Sequence, residues 1–380
     1  MFELFKTRKN HFVGIDFGTA SIKVVEVSYI NHQTILENYG FLELDLVNRG
    51  NVKPASLEKI LNESLKRLLT KLEIKNIPAF VSIPGFSGLV AIIELPGMPV
   101  DELTKAIQFE AHKYIPSALD EIALSWEVVG REAKKEEQLA AEKAEDANKP
   151  VAKPKLKSEA NSKLNEKLKV LLVAAPKKDI EHYDRLVSGA GLEVKAIELE
   201  TFSIARVLVG DEPGVFLLVD IGFRTTNLIL VEKGLIQANR NIDAGGEEIT
   251  SAIMDMLSVS RSRAEIFKKE TKDILNGSES ALVIPVLDLV VGELRRIATA
   301  YKEKNKDGKI DAIILSGGTS KMVGIKDYFA HALGEEVRIG NPWRGITVSS
   351  EVAPLTKDLG ASFAVALGLA LRGVEEYKKK

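Results

Sequence analysis

Two stretches of this chain place a carboxylate, a glycine and small hydroxyl side chains between apolar runs. Gly14 to Val27 reads GIDFGTASIKVVEV: an apolar strand ends in Asp16, the chain turns through Gly18, Thr19 and Ala20, and a β-branched strand returns with Lys23 just past the turn. The tip of such a hairpin exposes backbone N–H groups that suit phosphate oxygens. The strand-end carboxylate and the lysine beyond the turn suit a hydrated divalent cation and a phosphate. Leu217 to Leu230, LLVDIGFRTTNLIL, repeats the design with Asp220, Gly222, Thr225 and Thr226. Taken singly, either segment reads equally well as an ordinary hairpin. Occurring twice, they point to a duplicated fold in which each half presents one hairpin to a shared ligand. A third glycine cluster lies in Leu315 to Phe329, LSGGTSKMVGIKDYF. There a strand enters a Gly317-Gly318-Thr319 turn that opens a helix, so backbone approaches a flat or anionic ligand closely.

The elements that must position these turns follow from periodicity. Short apolar runs at Phe12 to Ile15, Ile22 to Val27, Ala79 to Ile83, Leu89 to Leu95, Val170 to Ala174, Phe216 to Val219, Asn227 to Val231 and Ala312 to Leu315 read as strands. Between them, Leu57 to Leu72 sets Leu57, Ile60, Leu61, Leu65, Leu68 and Leu72 at helical spacing, and Asp101 to Tyr114 and Asp179 to Ala190 keep the same period. Strands alternating with amphipathic helices predict a layered α/β architecture. Arg131 to Lys167 breaks the pattern, having no aromatic residue and only Val151 as a β-branched one. Such a segment cannot offset its ordering entropy, so a mobile loop joining two strands of one subdomain is expected, either plainly solvated or a tether for a partner.

Composition narrows the chemistry. The 380 residues are 45% hydrophobic and 28% charged, as in a soluble protein of several lobes. Lys and Arg number 52 against 54 Asp and Glu, which leaves no global field to attract nucleic acid or an anionic membrane. The absence of cysteine removes disulfides, thiolate zinc sites and cysteine nucleophiles. His11, His32, His112, His182 and His331 share no metal-ligand spacing. No run approaches the roughly eighteen apolar residues of a membrane span, and MFELFKTRKNHF lacks the apolar core of a secretory signal, so a cytoplasmic protein is expected.

In order along the chain, GIDFGTASIK, LVDIGFRTT, LSGGTSKMVGI and LGASFAVALGLAL resemble the phosphate-1, phosphate-2, adenosine and final connecting motifs of the actin, Hsp70 and sugar-kinase ATPase superfamily. Ile197 to Leu208, IELETFSIARVL, stands in the place of the first connecting helix. Within that superfamily the running text is similar to the type IV pilus assembly protein PilM family. The most specific stretch is ELPGMPVDELTKAIQFEAHKYIPSALDEIALSWEVV, which resembles the 1C subdomain that this family shares with the division protein FtsA. The resemblance implies an actin-like ATPase fold of duplicated RNase H-like lobes. Subdomain 1A would take 11–95, 190–212 and 355–380; 1C, 96–189 with the insertion at 131–168; 2A, 213–246 and 310–354; and 2B, 247–309.

The same resemblance implies ATP and Mg2+ in the cleft between the large lobes. Asp16 and Asp220 would hold the metal through water, and Lys23 would neutralise phosphate charge. Gly18, Thr19 and Ala20, with Gly222, Arg224, Thr225 and Thr226, would clasp the phosphates from the two hairpins. Gly245 and Gly246 would approach from the second lobe, and Gly317, Gly318, Thr319 and Met322 would line the adenosine side. Lys268 matches a position near the adenine edge, though an exposed helical lysine is an equal reading. Glu200 resembles the glutamate that positions water in the Hsp70 motif, in competition with an ordinary role at a helix start. Phe223 and Arg224 stand where vigorous hydrolases prefer glycine, and Asn227 where FtsA-like proteins often have aspartate. At most slow hydrolysis is therefore expected, with ATP acting as a conformational ligand. The implied partner is the short N-terminal cytoplasmic tail of PilN, a bitopic inner-membrane protein, docked in a groove between 1A and 1C and so recruiting the chain to the inner face of the membrane. Other platform or motor proteins and self-association stay open. An FtsA-like division protein is the first alternative, disfavoured because the chain stops at RGVEEYKKK without an amphipathic tail. A small-molecule kinase is the second, disfavoured because 1C-like text occupies the substrate-insertion site.

Overall fold

The structure, a computed structural model, describes residues 10–44, 54–115, 118–133, 166–269, 273–276, 282–305, 308–350, 353, 356 and 359–380. The chain begins with β1 (His11–Phe17), β2 (Ser21–Ile30), β3 (Gln33–Glu43), α1 (Pro54–Lys71) and β4 (Ala79–Ile83). Then come β5 (Leu89–Pro96), α2 (Val100–Ala111), β6 (Ile122–Ala133), β7 (Glu166–Pro176) and α3 (Lys177–Gly189). They are followed by β8 (Val194–Leu199), α4 (Glu200–Leu208), β9 (Val215–Ile221), β10 (Thr226–Glu232) and β11 (Leu235–Ile242). The later elements are α5 (Gly246–Leu257), α6 (Arg261–Lys269), α7 (Pro285–Lys304), β12 (Ala312–Ser316), α8 (Ile325–Leu333), β13 (Val337–Ile339) and α9 (Ala364–Lys378). They form two units, Met1–Ser87 with Lys178–Lys380, and Gly88–Lys177.

The first unit holds two five-stranded sheets of the same plan, β3-β2-β1-β4-β8 and β11-β10-β9-β12-β13. In each, three antiparallel strands are continued by two parallel ones. The central strands are covered on both faces and therefore read as unbroken apolar runs, as in VFLLVDI of β9. In the first lobe Val13, Ile15 and Val24 pack on Leu61, Leu65 and Leu68 of α1 and on Leu186 and Val187 of α3. In the second, Leu217, Val219 and Leu228 pack on Ile249 and Ile253 of α5 and on Leu287, Val290 and Leu294 of α7. Helices α4 and α9 are pinned together by a buried carboxylate. Glu198 accepts from Arg206 Nη1 at 2.7 Å and from Arg372 Nη1 at 2.9 Å, while Arg206 Nη1 also donates to the Gly368 carbonyl at 2.9 Å.

The second unit is an antiparallel sheet of order β5-β7-β6. Its core sets Leu103, Ile107 and Ala111 of α2 against Val170 and Leu172 of β7. The unit boundaries differ from those expected at 96 and 189. Leu89↔Ala174 through Pro96↔Lys167 pairs β5 with β7, which draws the strand before 96 into this unit. Leu186 and Val187 bury α3 in the first unit instead. The β6–β7 hairpin also runs further than composition suggested, to Ala133↔Glu166, because cross-strand pairing orders both ends of the charged insertion. The rest of that insertion lies outside the described residues. Among the described residues, no helix is long and apolar enough to cross a membrane.

Candidate nucleotide cleft

A cavity of about 980 Å3 in the first unit is walled by the β1–β2 and β9–β10 hairpin tips and by the turn after β12. The two hairpins are built in the same register. Asp16 pairs across to Lys23, and Asp220 pairs across to Asn227, each by the same step along the chain. Both aspartates are buried, Asp16 being 5% and Asp220 9% exposed. Lys23 Nζ donates to Asp16 Oδ2 at 3.1 Å. Burial alone would lower the Lys23 pKa, but Asp16, with Asp220 and Glu200 behind it, raises it above the ordinary value, so the side chain stays an ammonium.

In the second hairpin an amide takes the place of the lysine. Burial pushes the Asp220 carboxyl up to about 6, and the charge of Asp16 adds to this against hydrogen bonds from Ser316 and Asn227 and the charge of Lys23. Glu200 opens α4 at the same wall. Its Oε1 accepts from the Gly85 N–H at 2.7 Å and from Asn227 Nδ2 at 2.8 Å. Burial nonetheless pushes its carboxyl up to about 7, helped by the charges of Asp220 and Asp16. Around Lys23, the three carboxylates Asp16, Asp220 and Glu200 thus act on one ammonium, an arrangement that favours a further cation at this wall.

The remaining walls come from the turn after β12 and from α5 and α6. Gly317 adopts φ 82, and a Cβ there would lie 2.3 Å from the Ile221 carbonyl oxygen, so only glycine lets this turn press against β9. Gly246 N donates to the Gly222 carbonyl at 2.9 Å and Glu247 N to the Phe223 carbonyl at 2.8 Å, which ties the start of α5 to the second hairpin. Lys268 is 8% exposed, not the solvated helical lysine of the alternative reading. Its Nζ donates to the Gly246 carbonyl at 2.8 Å, to Thr250 Oγ1 at 2.9 Å and to Glu265 at 3.3 Å, while burial pushes its pKa down.

Asp16, Gly18, Thr19, Ala20, Lys23, Glu200, Asp220, Gly222, Thr225, Gly246, Lys268, Gly317, Gly318, Thr319 and Met322 all line this cavity. Three expected residues are not among its lining. Arg224 points to solvent, Thr226 spends its hydroxyl on the Ala244 carbonyl at 2.8 Å, and Gly245 lies buried behind the hairpin. The cavity also gathers residues that motif reading passed over, among them Phe41, Phe86, Arg261, Glu265, Lys269 and Lys321. Arg261 and Glu265 share a helical face with Lys268, a spacing that ties them to it once Lys268 is placed.

Two duplicated lobes closing on one cleft define an actin-like ATPase fold. The profile of the family described as type IV pilus assembly protein PilM matches residues 14–147 and 155–374, and the chain belongs to that family. Cell division protein FtsA of Enterococcus hirae is 23% identical over 361 residues, 87% of this chain and 78% of that protein. FtsA of Pseudomonas aeruginosa is 29% identical over 205 residues, 47% of this chain and 49% of that protein. Among solved structures, a PilM–PilN type IV pilus biogenesis complex superposes with a TM-score of 0.75 at 24% identity, covering 95% of this chain and 98% of the other. The ethanolamine utilization protein EutJ from Carboxydothermus hydrogenoformans gives a TM-score of 0.53 at 18% identity, covering 95% and 89%. These likenesses are of fold.

Proposed function

We propose that this chain is an adaptor of type IV pilus assembly that binds Mg2+ and ATP in the cleft of its first unit and docks the N-terminal cytoplasmic tail of a PilN-type membrane protein. The observation that carries the nucleotide reading is the matched pair of hairpins, each ending in a buried aspartate, on one cavity of about 980 Å3. The residues fit the ligand. Asp16 and Asp220 raise the local demand for positive charge, and among the described residues no group of three or more possible ligands converges. A metal held by one or two carboxylates, taking its other ligands from phosphate and water, matches Mg2+. The hairpin tips and Lys23 would meet the phosphates; Lys268, Glu265 and Met322 would border the nucleoside.

Bound Mg2+ would neutralise phosphate charge. Glu200 is a further carboxylate placed to orient water; with its carboxyl near 7 it is matched to accepting a proton at neutral pH, but one of its oxygens is already held by two donors. At most slow turnover and a conformational role for ATP go with this reading because Phe223 and Arg224 stand where vigorous hydrolases prefer glycine and because the Gly85 and Asn227 donors occupy one Glu200 oxygen. The subdomain reading goes with this proposal, as does placement in the cytoplasm at the inner face of the membrane through the partner. PilN as partner is supported by family membership and by the fold shared with the PilM–PilN complex.

The test is thermal unfolding with and without Mg-ATP. At a hundredfold excess over Kd, binding stabilises the native state by about 2.7 kcal/mol, an upward shift that Asp16→Ala or Asp220→Ala should abolish. An unchanged wild-type midpoint at saturating nucleotide would sink the assignment. For the partner, the immobilised PilN tail peptide should retain the chain, and failure to retain it would remove that part of the proposal.

A further inference from the structure

Three elements of the first unit meet on one oxygen atom. Glu200 Oε1, at the start of α4, takes both the Gly85 N–H at 2.7 Å and Asn227 Nδ2 at 2.8 Å. Asn227 belongs to β10 of the second lobe, and Gly85 opens the short turn Gly85–Ser87 that follows β4 of the first. The chain leaves this unit directly after that turn, since the second unit begins at Gly88. The junction is tightly packed. A Cβ on Gly85 would lie 2.8 Å from Asn227 Oδ1, 3.0 Å from Asn241 Oδ1 and 3.2 Å from Thr201 Oγ1. It is also under-bonded: Asn227 Oδ1 and Thr201 Oγ1 are buried with no hydrogen-bond partner among the described residues. A close-packed polar junction with unmet hydrogen bonds has little to lose by rearranging, and one oxygen shared by two donors is sensitive to displacement of either.

We propose that Glu200 and Asn227 form a relay that makes the Gly85–Ser87 turn, the chain's exit toward the second unit, responsive to nucleotide in the cleft. This rests on the nucleotide reading above. A bound cation and its water would offer the Glu200 carboxylate charge-assisted partners on the cleft side. That pull takes the oxygen shared by Gly85 and Asn227 away from the Gly85 N–H and frees the turn. Phe86, 55% exposed and part of the cavity wall, sits at the centre of that turn and moves with it.

The experiment is hydrogen exchange of the peptide covering Gly85–Ser87 in the full chain, with and without saturating Mg-ATP, beside a direct titration with a fluorescent ATP analogue. In the wild type, nucleotide should speed exchange in this turn by about tenfold, the loss expected for one charge-assisted hydrogen bond. Glu200→Ala should exchange fast in either condition. Glu200→Gln keeps an acceptor for Gly85 but has no charge to be drawn toward a cation, so it should stay slow in both. Exchange in β9 and β12 serves as the control for folding. If nucleotide binds and wild-type exchange in the turn does not change, or if Glu200→Gln responds as the wild type does, the relay is wrong. If no nucleotide binds at all, the assignment of the cleft falls and the relay with it.

Discussion

Replacing Glu200 by glutamine should change how the stability of the first unit depends on pH. Burial raises the Glu200 carboxyl from its ordinary 4.5 to about 7, so the folded chain holds this proton more tightly than the unfolded chain does. The sign follows from that. The contribution to stability is complete below pH 4.5 and is lost as pH rises through about 7, because folding then forces a charge into the wall of the cleft. At full strength the shift corresponds to about 3 kcal/mol, at about 1.4 kcal/mol for each pH unit. Glu200 is only partly buried beside an open cavity, and allowing for solvent there reduces the expected effect to about 2 kcal/mol. Glutamine keeps the acceptor for Gly85 and removes the titration. The stability of Glu200→Gln minus that of the wild type should therefore grow by about 2 kcal/mol between pH 5 and pH 8 in nucleotide-free buffer. Trp343 gives the assay, being packed against Tyr39 and Phe363 in the first unit. Urea unfolding followed by its fluorescence, in a Trp126→Phe background that silences the second unit, reports on this unit alone. Stability curves that run parallel across the pH range would show that Glu200 is not held in a charge-hostile wall.

Arg206→Ala should destabilise the first unit by about 2 to 3 kcal/mol, measured by the same urea titration. It leaves the buried Glu198 carboxylate with Arg372 and Ser203 alone and frees α4 from α9; a loss under 1 kcal/mol would show that Arg372 suffices. Lys268→Met fills the same space without the donor to Gly246, and nucleotide affinity should fall about tenfold in a fluorescent-analogue titration. Unchanged affinity would take Lys268 out of the site. In the second unit, Ile107→Ala empties a fully buried position under the β5-β7-β6 sheet and should cost about 2 to 5 kcal/mol there, seen as faster hydrogen exchange in β7. Nucleotide affinity should be unaffected, and a large loss of it would contradict separate sites.

Features carried by local chemistry were legible in the sequence. Asp16 with Gly18 and Lys23, and Asp220 with Gly222 and Thr225, lie within one hairpin each, so their spacing alone placed them on the cavity wall. Contributions from elements distant in sequence were not. Arg261 and Glu265 enter the cleft only because α6 is packed over the start of α5, and Gly85 meets Glu200 only through the tertiary fold. The charged insertion misled at its ends for the same reason, since pairing between β6 and β7 overrides composition.

The register of the two hairpins carries one argument further. Duplication placed Lys23 and Asn227 at equivalent positions, each directly across from the strand-end aspartate. The first hairpin is thereby neutralised within itself, by Lys23 on Asp16 at 3.1 Å. The second has only an amide to offer, and that amide also serves Glu200. Unmet negative charge is therefore concentrated in Asp220 and Glu200, on β9 and at the start of α4, where burial already resists it. A cation entering the cleft gains most on that side, whereas phosphate oxygens gain most at Lys23 on the other. On the proposed reading, two hairpins of one design would divide a metal–phosphate ligand between them by a single exchange of side chains. An aspartate at 227 would undo the division twice over, adding a third carboxylate beside Asp220 and Glu200 and removing the donor that helps hold Glu200 at Gly85.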